Sequence, residues 1–186
     1  ELEEEWGRDL RADVLNALFD RFEDPNPERQ LEILSILRQL LAGFLGRGEL
    51  AAAAMILREM DAALADNASL GEAQRREIGR LFEELGDSVV IEQLVDALDD
   101  GNIDPRSDDL ALFLSHLPAD ALRPLVQGAS RARTAAVRRS LQAAMGHLAA
   151  QYPEPLPELL SDEDAGIAVG TARIVGELRL TELAPR

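Results

Sequence analysis

Two stretches in the C-terminal third of the chain place apolar and small residues at matching positions. In VRRSLQAAMGHL these are Val137, Leu141, Ala144, Met145 and Leu148; in IAVGTARIVGEL they are Ile167, Thr171, Ile174, Val175 and Leu178, at a shift of 30 residues. Offsets of 0, 4, 7, 8 and 11 define one buried face of an α-helix. Gly146 and Gly176 follow in the same register. Each long helix is preceded by a shorter one: Leu122, Leu125 and Val126 correspond to Leu156, Leu159 and Leu160 at a shift of 34. The difference of four residues falls in a connecting turn, where added length costs little.

The same periodicity runs through the rest of the chain. Residues 8 to 23 place Leu10, Val14, Leu15, Leu18, Phe19 and Phe22 on an amphipathic helix that stops before Asp24-Pro25. Asn26-Pro27 opens the next, with asparagine suited to the cap and proline to the first turn. That helix runs to about Leu45, and its apolar residues, Ile36 among them, cover much of its circumference, which predicts a central position. The turn GRGEL leads to a third helix over Leu50 to Ala65, whose small residues Ala51 to Ala54 permit close approach of a partner. Ser69 with Glu72 forms a capping box for a fourth helix, which Gly86 closes. A fifth uses Ile91, Leu94, Val95 and Leu98, and a sixth uses Leu110, Phe113, Leu114 and Leu117. About ten helices are expected, with no strand, joined by short connections that make neighbours antiparallel.

A short helix ending in a leucine pair, an acidic turn such as SDEDAG, and a longer helix closed by glycine and leucine resemble a HEAT repeat over residues 119 to 183. Arg138 keeps a position where the repeats commonly carry arginine; Ala168 takes that place in the second unit, and Gly170 falls inside its helix. The hairpin around GRGEL is also similar to a tetratricopeptide turn. The resemblance implies an all-α, right-handed α-solenoid forming a single repeat domain over 1–186, with divergent hairpins over 8–117 and HEAT-like repeats over 118–186. Such arrays typically act as scaffolds, while some HEAT-like proteins are DNA glycosylases or pigment lyases. The chain starts without methionine and ends just after Ala184-Pro185, so a piece of a longer protein is expected. An uncapped last repeat would then present Ile174, Leu178, Leu180 and Leu183 for self-association.

Composition narrows the functional choice. Apolar residues make up 46% of the chain and aromatic ones 4%, which suits aliphatic helix packing. The formal charge is −16, and all 19 basic residues are arginine. An acidic, aromatic-poor surface argues against nucleic acid, anionic membranes and the basic groove of a glycosylase. Cysteine is absent, which excludes disulfides and thiolate metal sites and suits a reducing, cytoplasmic setting. The longest apolar run, Leu50 to Leu57, is far shorter than the roughly 20 residues of a membrane helix.

No set of residues amounts to chemistry, so no catalytic, cofactor or metal site is expected. Asp96, Asp100, Gly101 and Asp104 match positions of a calcium loop, but Leu98 and Ser107 stand where an early oxygen ligand and the closing glutamate belong. His116 and His147 lack the glutamate spacing of zinc or di-iron sites. Adjacent carboxylates such as Asp99 and Asp100 point apart on a helix and should not converge. Trp6 reads as a packing anchor.

The strongest local contrast is one of charge. Residues 118 to 150 hold Arg123, Arg131, Arg133, Arg138 and Arg139 against Asp120, a net of +4 that leaves −20 to the rest. Guanidinium forks suit carboxylate or phosphate partners, so these five are candidates for binding a protein or another domain of the same chain. The alternative is that they pair with acidic residues of neighbouring repeats. Read as one long helix, the stretch puts Arg131 and Arg138, seven apart, on nearly one face.

Overall fold

Asn26 and Pro27 open their helix as their chemistry requires. In the computed structural model, which describes the backbone of residues 2–66 and 70–178 and side chains from Leu10 onward, Asn26 Oδ1 accepts from the backbone N–H of Glu28 at 3.1 Å and of Arg29 at 3.2 Å. All the described secondary structure is helical: α1 (Leu2–Phe22), α2 (Pro27–Gly46), α3 (Leu50–Ala65), α4 (Glu72–Glu84), α5 (Ser88–Asp99), α6 (Asp108–Ser115), a 3₁₀ turn (Ala119–Ala121), α7 (Leu122–Arg131), α8 (Ala135–Gln151), α9 (Leu156–Leu160) and α10 (Ala165–Glu177). The chain divides into two compact units, 1–81 and 82–186.

In the first unit, α2 packs on α1 and α3. Ile33, Leu34, Leu37, Leu41, Phe44 and Leu45 are buried, whereas Ile36 is exposed, so α2 buries a narrower face than its apolar residues, spread over much of the circumference, lead one to expect. On α1, Leu15, Phe19 and Phe22 are buried while Leu10 and Val14 face out. Ala53 and Ala54 are fully buried on α3, consistent with small side chains letting its neighbours come close. Gly48, at φ 70°, makes the turn between α2 and α3, a left-handed conformation that glycine adopts without a steric cost. The side chain of buried Gln30 donates to the carbonyl of Phe22 at 3.1 Å and so satisfies an acceptor at the end of α1. The capping serine, Ser69, lies outside the described residues.

Glu59 of α3 carries a carboxyl whose pKa is raised, first by burial and then by the charge of Glu23. A folded carboxyl with a raised pKa keeps its proton where the unfolded chain has lost it. Stability therefore falls as pH climbs from the ordinary glutamate range through the folded value, and stays lower at neutral pH. Glu59→Gln is expected to flatten that slope and raise the urea midpoint at neutral pH. The gain should be small, within about 0.5 kcal/mol, because the side chain remains partly solvated. Urea titrations of both proteins at a series of pH values check it.

In the second unit nine of the ten repeated positions are buried, and Leu178, at the C-cap of α10, is half-buried. Val137, Leu141, Ala144, Met145 and Leu148 face inward on α8, as do Ile167, Thr171, Ile174 and Val175 on α10. Thr171 fills the place of Leu141, and its hydroxyl is buried without a hydrogen-bond partner among the described residues. Of the four residues expected at an open apolar edge, Ile174 is instead buried and Leu178 half-buried, while Leu180 and Leu183 lie outside the described residues.

α7 is the centre of this unit, in contact with α5, α8 and α10. Its neighbours approach through glycine. A Cβ on Gly128 of α7 would fall 2.8 Å from Val95 Cγ2 of α5, and one on Gly170 of α10 would fall 2.5 Å from Val126 Cγ1 of α7. Gly170, which interrupts the sequence repeat, is thus the point where α10 rests on α7. Gly146 and Gly176, which do repeat, have nothing within 4 Å of an added Cβ.

Candidate functional site

The five candidate arginines do not share one helix. Ala132 adopts an extended backbone (φ −54°, ψ 124°) that ends α7, and Thr134 caps α8 by accepting from the Val137 N–H at 3.2 Å. Arg131 is therefore the last residue of α7 and Arg138 lies in the first turn of α8, which corrects the expectation of a common face. The cap signal was present in Thr134, a threonine just ahead of the apolar run.

Three of the five bind the chain's own carboxylates. Arg123 pairs with Asp162, whose side chain is only 6% exposed. Arg131 donates to Glu92 at 2.9 Å. Arg133 donates to Asp100 at 2.7 Å, and its Nε lies 3.6 Å from Asp99. The hydrogen bond and charge of Asp100 raise the Arg133 pKa above its ordinary value. Asp99 and Asp100 do converge, contrary to the sequence-based expectation, because Asp100 sits at the C-cap of α5 outside the regular helix.

Asp99 also holds the turn after α7. Its carboxylate, 4% exposed, accepts from the backbone N–H of Arg133 at 2.9 and 3.0 Å and from that of Thr134 at 3.3 Å. The loop that resembles a calcium site is occupied similarly: Asp104 accepts from the Arg106 N–H at 2.9 Å, and Ser107 caps α6. Gly101, at φ 77°, turns the chain there. Among the described residues no group of three or more histidine or acidic side chains is placed to hold a metal ion. His116 stacks on Phe82 at 5.0 Å between ring centroids, and its Nδ1 lies 2.8 Å from the carbonyl oxygen of Leu112.

The remaining two arginines differ. Arg138 donates one hydrogen bond, to the Ala132 carbonyl at 2.9 Å. Arg138 and Arg139 are exposed, and neither forms an ion pair with any of the described residues.

Three grooves open between the helices of this unit. Arg131 and Arg133 line one of about 390 Å³ between α5 and α7, where Glu92, Asp96 and Asp99 balance them. A second, of about 430 Å³, lies between α6 and α8 and includes Leu110, Leu114, Ala144 and His147. The third, about 380 Å³, is enclosed by α7, α8 and α10. Its walls include Val126, Met145, Val169 and Ile174, and its charged groups are Arg138, Arg173 and Glu177. Arg173 lies outside the stretch singled out by charge, but spacing could have found it. Gly166, Val169, Gly170, Arg173 and Glu177 recur at helical intervals and share one face of α10.

The described residues form an all-helical fold, and no helix among them is long and apolar enough to cross a membrane. Comparison with family models, curated proteins and solved structures finds no match to any of them.

Proposed function

We propose that the chain is a non-catalytic, HEAT-like interaction module, stacked as a right-handed α-solenoid, that binds a protein partner or another domain of its own chain. Two long helices with the same buried positions at a constant shift support the repeat reading. The observation that carries the binding reading is the division of the arginines. Arg123, Arg131 and Arg133 are neutralised within the chain, whereas Arg138 and Arg139 present charge that no described carboxylate meets. In a chain of net charge −16 this local excess favours encounter with an acidic surface.

Capture from lysate on the immobilised protein, with bound proteins identified and eluted by rising salt, tests the reading. The double variant Arg138→Glu/Arg139→Glu is expected to fold, at a cost of about 1 kcal/mol from the lost hydrogen bond to the Ala132 carbonyl, and to lose the salt-sensitive partners. Retention of all of them by a folded double variant would place the binding surface elsewhere.

A further inference from the structure

The groove of α7, α8 and α10 differs from its neighbours in one combination: an apolar wall and cationic groups that form no ion pair with the described carboxylates. Val169 is 61% exposed although it is a large apolar residue flanking this groove. Val126, Met145 and Ile174 form the wall below it. Arg138 enters from α8 and Arg173 from α10, and neither pairs with any of the described carboxylates, even though Glu177 lines the same groove. The groove between α5 and α7 has two arginines too, but three carboxylates line it and Arg131 and Arg133 are paired with acidic residues.

Two arginines reaching in from different helices suit an occupant with carboxylates on both sides of an apolar group. A volume of about 380 Å³ suits large apolar side chains, and an exposed Val169 calls for an occupant that covers a ridge as well as filling a hollow. A second copy of this chain is disfavoured by repulsion between two bodies of charge −16. We infer that this groove seats a linear acidic segment of a partner protein, with an apolar side chain against Val169 and Met145 and flanking carboxylates on Arg138 and Arg173. This rests on the interaction-module reading and specifies its partner class.

Fluorescence anisotropy with labelled short peptides tests the assignment on the full chain. One peptide carries a Leu-Phe pair flanked by glutamates, a second replaces that pair by serines, and a third replaces the glutamates by lysines. The first is expected to bind, more weakly as salt rises, and the other two about tenfold more weakly or not at all. Arg138→Ala/Arg173→Ala and Val169→Asp should each weaken the first peptide about tenfold, while Arg131→Ala, in the other groove, leaves it unchanged. Circular dichroism confirms that each variant is folded. Equal binding of the serine peptide would reduce the effect to charge attraction and overturn the groove. So would binding of the first peptide unaltered by the groove variants, equal binding of a single-stranded oligonucleotide, or a dimer in sedimentation that Val169→Asp dissolves. If no peptide binds but lysate capture remains sensitive to reversal of Arg138 and Arg139, the groove assignment fails and the module reading stands; if capture is also insensitive, both fail.

Discussion

Replacing Asp99 by alanine is expected to lower the stability of the 82–186 unit by about 2 kcal/mol, since hydrogen bonds to a charged group contribute roughly 1.5–3 kcal/mol and the freed amides can partly rehydrate. The carboxylate is almost wholly buried and accepts from two successive backbone N–H groups while facing the Arg133 guanidinium. Its loss frees the turn between α7 and α8 and takes away the anchor that joins it to the end of α5. Asp99→Asn keeps one acceptor oxygen and should lose about half as much, because the charge-assisted component goes. Asp100→Ala removes a carboxylate whose side chain is 54% exposed, and a surface ion pair of that kind contributes about 0–1 kcal/mol. Urea midpoints of the three variants check the order. Equal effects for Asp99→Ala and Asp100→Ala would mean that the arginine pairing, and not the backbone tether, carries the stability.

The second large effect is expected at Gly170. An alanine there puts a Cβ 2.5 Å from Val126 Cγ1, and Val126 is a buried, β-branched side chain with little freedom to move. Overpacking of that kind costs about 1–3 kcal/mol, and the helix-propensity gain of up to about 1 kcal/mol offsets only part of it. Gly170→Ala should therefore destabilise the unit by about 1–2 kcal/mol. Gly146→Ala and Gly176→Ala, in open space, should instead stabilise it by about 0.5–1 kcal/mol through propensity alone. Thermal melts of the three variants test the opposite signs. Stabilisation by Gly170→Ala would show that α10 can draw away from α7 at no cost.

These glycines also mark how far the sequence could be read. The helical period reports burial directly, so most of the inward faces of α8 and α10 is legible, apart from Leu178 and Ala149, and so is the Asn26-Pro27 start of α2. Which glycine matters was not, because proximity to Val126 depends on where α10 crosses α7 and leaves no trace in local spacing. Ile36, Leu10 and Val14 read as core because they are apolar, yet all three are exposed, since a period marks a face without saying how wide a neighbour covers it. The arginines were visible as a cluster, but their separation into paired and uncompensated groups depends on carboxylates more than 30 residues away. Arg173 stands outside the arginine cluster of residues 118 to 150, although its face of α10 is readable from spacing.

Several side-chain bonds that join separate elements of the 82–186 unit span 33 to 39 positions, from Arg133 with Asp100 to Arg123 with Asp162, and include the bond from Ser140 to the Pro105 carbonyl. None of these ties has to bring the ends of the unit together, so the loops that they close are of similar length and similar entropic cost. As the chain leaves the ribosome from its N-terminus, α7, α8 and α10 each meet a partner already made. The order of synthesis is then also an order in which the packing can be completed.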